Sequence, residues 1–222
     1  MGAVLEMTRP RILAPLCALL LALGGCSSTN DDSVRIARRL LLGPEPVVPG
    51  PAFIALAESG APAYIVSIEE RGEAYATFLR QSVNAKGEES WISGDGLSLG
   101  MREGMVIATR GLGGDMLAGE ATATRAALRA GRGGVTERFA TLLDGEDHAV
   151  TLSFRCRVTP QGAAPVDLGR YTASTTFFHE DCRNGETAFR NLFWVERGTG
   201  RIVQSRQWIS EGVGTLALRL IP

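Results

Sequence analysis

Asn191-Leu192-Phe193-Trp194-Val195-Glu196, then Arg197-Gly198-Thr199-Gly200, then Arg201 to Ile209: this stretch decides the fold. Two runs rich in β-branched and aromatic residues flank a turn holding two glycines, which is the pattern of a β-hairpin. Upstream, Ala149 to Val158 is long and alternating, and its expected partner is Leu168 to Phe178. Val135 to Leu143 leads into the turn Asp144-Gly145-Glu146-Asp147, and Leu216 to Leu220 supplies a last strand. The first half reads the same way. Ala63 to Glu69 turns at Arg71-Gly72 into Glu73 to Arg80, and Asn84-Ala85-Lys86-Gly87 leads to Glu89 to Ser93. Gly94-Asp95-Gly96 then opens Leu97 to Met101, and Glu103-Gly104 opens Met105 to Thr109. Short strands joined by minimal turns make an antiparallel meander, so the fold class is all-β.

Helical signals are few. Ser33 to Leu42 carries a helical stripe (Val34, Ala37, Leu40, Leu41), with acidic or serine caps before it and Gly43-Pro44 after it. Pro44 to Pro51 is an extended connector, followed by a turn of helix near Phe53 to Glu58. Ala121 to Arg132 reads as either a helix or a loop. Gly111-Leu112-Gly113-Gly114-Asp115 breaks the sheet. No Gly-Lys-Ser/Thr follows it, so it is a chain reversal with positive-φ glycines rather than a phosphate cradle. No cofactor is expected.

The amino terminus gives the location. Arg9 and Arg11 precede an apolar run from Ile12 to Leu23, which is broken by Pro15 and shorter than the roughly 20 residues a spanning helix needs. Leu23-Gly24-Gly25-Cys26 closes it. That order is a lipoprotein signal over residues 1–25, with Cys26 as the lipid attachment point and residues 26–32 as a polar, lipidated tether. Two or more acyl chains on Cys26 make membrane anchoring stable. Ser27, not the aspartate that marks inner-membrane retention, follows the cysteine, so the periplasmic face of the outer membrane is expected. Residues 33–222 then form a single β-rich domain.

The formal net charge is −1, and no basic run is present, which excludes nucleic acid as a partner. Cys17 leaves with the signal. Cys156 and Cys182 remain in an oxidising compartment, where a disulfide is expected. Two separate thiols are the alternative. A metal site fits poorly, because the spacing is wide and only two histidines exist.

Trp91-Ile92-Ser93-Gly94-Asp95-Gly96, Arg102-Glu103-Gly104, Thr109-Arg110-Gly111-Leu112-Gly113, Cys182, Asn191 to Val195 and Ser205-Arg206-Gln207-Trp208-Ile209-Ser210 together resemble the YjbF/GfcB-type lipoproteins, the group 4 capsule or exopolysaccharide lipoproteins. The resemblance spans roughly residues 33–222. It implies an antiparallel sheet curled on itself into a half-barrel or pseudo-barrel. It also implies an envelope lipoprotein made alongside polysaccharide machinery, and it carries over no active site. Trp91 to Leu99 also echoes Trp208 to Leu218, either as related sheet halves or as convergent hairpins.

No catalytic residues are assigned. In His179-Glu180-Asp181, beside Cys182, strand alternation sends His179 and Asp181 one way and Glu180 the other, too few ligands on one face for zinc. Nothing in the sequence makes Glu69-Glu70, Glu88-Glu89, Asp95 or Asp115 face one another as glycosidase carboxylates must. Trp91, Asp95, Arg206, Gln207 and Trp208 are the candidate partner or glycan surface. Three functions stay open: a non-catalytic accessory binding polysaccharide or export proteins, a lipid or glycolipid carrier with an apolar cavity, and a glycan-modifying enzyme. A filled interior favours the first, a roomy apolar pocket the second, convergent carboxylates the third.

Overall fold

The computed structural model describes residues 48–72 and 75–222. Cys26, the tether and the helix expected over 33–42 lie outside them. Helix α1 (Pro51–Glu58) starts on a proline, whose missing N–H is harmless in a first turn, and it packs on β2. Five strands follow as expected: β1 (Ala63–Ile68), β2 (Tyr75–Val83), β3 (Glu88–Ser93), β4 (Ser98–Arg102) and β5 (Met105–Arg110). After the glycine reversal comes β6 (Met116–Glu120), a strand whose residues carry little β-propensity and no strand signal of their own. Ala121 to Arg132 resolves as helix α2 (Thr122–Arg129).

The second half contains β7 (Gly134–Leu143), β8 (Ala149–Ala163), the two-residue pair β9 (Val166–Asp167) and β10 (Thr172–Ala173), β11 (Thr175–Arg183), β12 (Ala188–Glu196), β13 (Ile202–Ser210) and β14 (Gly214–Ile221). The partner of β8 is therefore β11. Expected over Leu168 to Phe178, that strand starts later and runs through His179 to Cys182. Leu168 to Ala173, the start of the expected strand, instead belong to the small β9–β10 hairpin over residues 166–173.

Twelve strands form one antiparallel sheet, in the order β5-β4-β3-β2-β1-β14-β13-β12-β11-β8-β7-β6. It curls until it is nearly a closed barrel. The two end strands meet at a seam made largely by side chains. The Met116 N–H donates to Thr109 Oγ1 at 3.0 Å, and the Arg110 guanidinium donates to the Met116 carbonyl at 3.2 Å. Asp115 locks the preceding reversal, accepting from the N–H groups of Gly111 and Leu112.

Strand alternation sends Phe154, Phe178 and Phe193 inward, where they are essentially fully buried. Trp91 joins them at 2% exposure, edge-on to Tyr64 at 4.8 Å. Each such side chain contributes about 1.5–3 kcal/mol by burial. Trp91 is thus a core residue, a correction to its place in the expected partner surface. Gln207 is corrected too, at 1% exposure. Its Oε1 accepts the Val106 N–H at 3.0 Å, and its Nε2 donates to the Gly104 carbonyl and to Ser205 Oγ, each at 2.9 Å. One side-chain amide thereby ties β13 to the β4–β5 turn across the interior.

That turn is sterically demanding. Gly104 sits at φ +83°, and a Cβ there would lie 2.8 Å from Ile202 Cβ. Gly104→Ala is expected to cost about 2–4 kcal/mol, adding left-handed backbone strain to overpacking. Urea denaturation would measure it, and a loss under ~1 kcal/mol would contradict this packing.

Burial of the Tyr64 phenol, with Glu89 nearby, pushes its pKa from 10.0 up to about 12. The fold favours the neutral phenol. This stabilisation, about 2–3 kcal/mol, is complete below pH 10 and disappears as pH rises from 10 through 12. Tyr64→Phe should flatten that alkaline loss in a pH series of denaturation midpoints; an unchanged slope would assign the loss to other groups.

Candidate functional site

The five candidate surface residues do not form one surface. Trp91 and Gln207 are interior, and Asp95 is exposed in the β3–β4 turn, where it bonds Ser93. Arg206 is exposed on the outer sheet face, with its Nε 2.9 Å from Glu69. Trp208 alone lines a sizeable cleft.

The cleft, ≈850 Å³, opens between β6, the β7–β8 turn, the β11–β12 turn and the β13–β14 turn. Leu117, Leu142 and Leu152 give it an apolar floor beside Trp208. The indole stacks on Phe189 (4.3 Å, 10° between planes) and meets Phe154 edge-on at 5.7 Å. Polar groups stand around it: Asp144, Asp147, Asn184, Glu186 and Glu211. Asp144 accepts backbone N–H bonds from His148 and Glu146, which hold its carboxyl below the usual range and keep it charged. Glu211 accepts from Thr187 Oγ1 at 3.0 Å, bridging two of the turns. An aromatic ring with a ring of carboxylates and amides suits a hydroxyl-rich ligand that also presents apolar C–H faces.

A buried polar chain positions Trp208. The β12–β13 ladder runs only from Val195 opposite Ile202 to Leu192 opposite Arg206. Beyond it, the backbone N–H of Trp208 donates to Asn191 Oδ1 at 2.7 Å, so a side chain replaces the lost ladder bond. Asn191 Nδ2 donates to Glu180 Oε2 at 2.6 Å. Arg138 donates to the same oxygen at 2.8 Å, and Thr124 Oγ1 donates to Oε1. Glu180 is 0% exposed and Arg138 6%. Expected at a polar strand end, Glu180 lies mid-strand, on the inward face that alternation with Phe178 and Cys182 assigns it. It is tolerated there because both oxygens carry donors. Its partners Arg138, Thr124 and Asn191 come from three other elements, and no local spacing announces them.

The residues weighed for chemistry have other employment. His179 lies on the outer face against Phe177, and Asp181 pairs with Arg190 at 2.6 Å. Glu70 accepts from the Thr215 N–H, Glu88 bonds Arg102 and Asn84, and Glu89 bonds Arg80 and the Trp91 indole. Cys156, Glu180 and Cys182 place one ligand atom each within 4.8 Å. Both sulfurs, however, are joined in the expected Cys156–Cys182 disulfide, across directly paired positions of β8 and β11. The echo of Trp91 and Trp208 has a local counterpart: Ser93 Oγ accepts the Leu97 N–H, and Ser210 Oγ accepts the Val213 N–H, so each serine braces its hairpin turn.

The fold has a solved counterpart. The crystal structure of the hypothetical lipoprotein YmcC from Escherichia coli K12 superposes with a TM-score of 0.63 at 15% identity, covering 90% of this chain and 97% of that one. No curated relative matches. The profile of the family described as "Group 4 capsule polysaccharide lipoprotein gfcB, YjbF" matches residues 41–221, which takes in every strand of the sheet. By that match, the chain belongs to the YjbF family of group 4 capsule polysaccharide lipoproteins.

Proposed function

We propose that this lipoprotein is acylated at Cys26, sits on the periplasmic face of the outer membrane, and serves capsule or exopolysaccharide assembly or export as a non-catalytic accessory. It holds a glycan segment in the Trp208 cleft. The observation that carries this reading is the cleft itself: an indole stacked on Phe189, its backbone N–H held by Asn191, facing a polar rim. Family membership supports the polysaccharide context. The charged rim of the ≈850 Å³ cleft (Asp144, Asp147, Glu186 and Glu211) favours this reading over a lipid carrier, and the pocket beside Phe78, Leu99 and Leu216 measures only ≈220 Å³. The carboxylates weighed from the sequence (Glu69, Glu70, Glu88, Glu89, Asp95 and Asp115) are each taken up in structural bonds, which weighs against their use in a glycan-modifying enzyme.

The test is polysaccharide output from cells whose only copy carries Trp208→Ala. Output should fall several-fold while the protein accumulates normally with its disulfide intact. Unchanged output from a folded variant would remove the cleft from the function. Cys26→Ser should abolish incorporation of radiolabelled palmitate into the protein; incorporation that persists in the variant would refute acylation at Cys26.

A further inference from the structure

A second surface lies around the end of the β11–β12 hairpin from the cleft. Arg155 and Arg157 on β8, Arg183 on β11 and Arg190 on β12 line a groove of ≈590 Å³ on the outer sheet face. All four are exposed. Register places them in adjoining rows: Arg155 directly opposite Arg183, and Arg157 opposite Asp181, which faces Arg190. Asp181 is occupied by Arg190 at 2.6 Å. Glu137 stands opposite Arg155 on β7. Among the described residues, no carboxylate lies within 4.0 Å of a nitrogen of Arg155, Arg157 or Arg183.

Like charges set directly opposite on neighbouring strands destabilise a sheet. The Cys156–Cys182 register sets Arg155 against Arg183, and Glu137 flanks Arg155 only from the other side; an anion bridging the two guanidinium groups relieves the contact. The disulfide lies directly beneath. Cys156 falls between Arg155 and Arg157, Cys182 precedes Arg183, and both sulfurs point inward while the arginines point out. The covalent link holds the two strands at fixed spacing against the repulsion, so the cationic array is set before any ligand arrives.

We propose that this groove binds the carboxylates of an acidic glycan, a polymer with uronic-acid-type repeats. The inference rests on the reading that the ligand is a glycan, and it names its charge. A guanidinium fork donates two parallel hydrogen bonds to a carboxylate. Strand-to-strand spacing of about 4.8 Å and same-face spacing of roughly 6.7 Å along a strand set cations at intervals comparable to a sugar ring. Asn184, Glu186 and Thr187 of the β11–β12 turn line the Trp208 cleft, and Arg183 and Ala188, at the two ends of that turn, line the groove. The cleft and the groove thus flank one turn, and the acidic part of a ligand falls on the arginine side, away from the carboxylates of the cleft.

The full-length chain in neutral detergent micelles would be titrated with oligogalacturonate and, separately, with a neutral maltooligosaccharide of equal length. Oligogalacturonate should bind more tightly, with affinity falling as salt rises. Arg155→Ala with Arg183→Ala should weaken it about tenfold or more. Lysine at both positions should restore only part of the affinity, because an ammonium keeps the charge but not the fork. Melting temperature should hold or rise in the alanine variant, since a repulsion is removed. Equal binding of the neutral glycan overturns the proposal, as does an unchanged affinity in the folded alanine variant. Capture of anionic phospholipid vesicles through these arginines without oligogalacturonate binding also overturns it, in favour of a headgroup site. Loss of the Trp208 output effect defeats the proposed function and leaves this binding result standing, so the two failures are distinguishable.

Discussion

Glu180→Ala is expected to destabilise the protein by about 3–5 kcal/mol, because it strands the Arg138 charge in a buried site. Arg138 is 6% exposed, and Glu180 is the carboxylate that accepts from it. The same substitution frees Asn191 Nδ2, a buried donor costing about 1–3 kcal/mol if left unpaired, while Thr124 Oγ1 keeps its bond to Thr136 Oγ1. Glu180→Ala with Arg138→Met removes both charges together and should recover part of the loss, since paired charges are often replaceable by apolar volume. Urea denaturation of the two variants decides the matter. A double variant no more stable than Glu180→Ala would mean that the charge pair is not the cause. Because Asn191 carries the Trp208 backbone, Glu180→Ala should also perturb Trp208 fluorescence under native conditions.

Removing the disulfide is the second large effect. Cys156 and Cys182 are 26 positions apart, and the closed loop restricts the unfolded chain by about 3–4 kcal/mol on the chain-entropy account. Cys156→Ala with Cys182→Ala should lose that much in denaturation. The loss should exceed its high-salt value when measured at low ionic strength, because Arg155 and Arg183 then repel across strands that nothing covalent joins. A loss independent of salt would show that the arginines are not strained against each other.

Much of the architecture was legible in the chain. Glycine turns and period-two alternation placed β1 to β5 and the β12–β13 hairpin, because the information for a hairpin is local. β6 was missed because Met116 to Glu120 is a strand only by virtue of β7 beside it. The partner of β8 was set too early because Leu168 to Phe178 is apolar enough for a strand, while a run of His, Glu and Asp reads as a strand end. Only the tertiary partners of Glu180 make its burial tolerable. Cys156 and Cys182 were readable by compartment chemistry. The supposed surface around Trp91 and Gln207 failed because residue type does not report facing: an amide that bonds backbone groups 101 and 103 positions away across the interior looks, in sequence, like a surface glutamine. The arginine groove was hidden for a related reason. A scan for basic runs finds none, since alternation spaces Arg155 and Arg157 around a cysteine and β11 brings Arg183 from far along the chain.

The strand order has a kinetic corollary. β14 sits between β1 and β13, with Ile221 opposite Ala63, so the first strand of the sheet finds one of its two neighbours only when the last has emerged. A ladder between such distant residues is slow to nucleate, because the whole intervening chain must be closed into a loop first. A polypeptide threaded through a membrane pore amino end first would therefore remain pliable until its final residues came through. Trimming β14 would leave the β1–β5 meander and the β6–β13 block held together through contacts such as the β5–β6 seam and the Gln207 bonds.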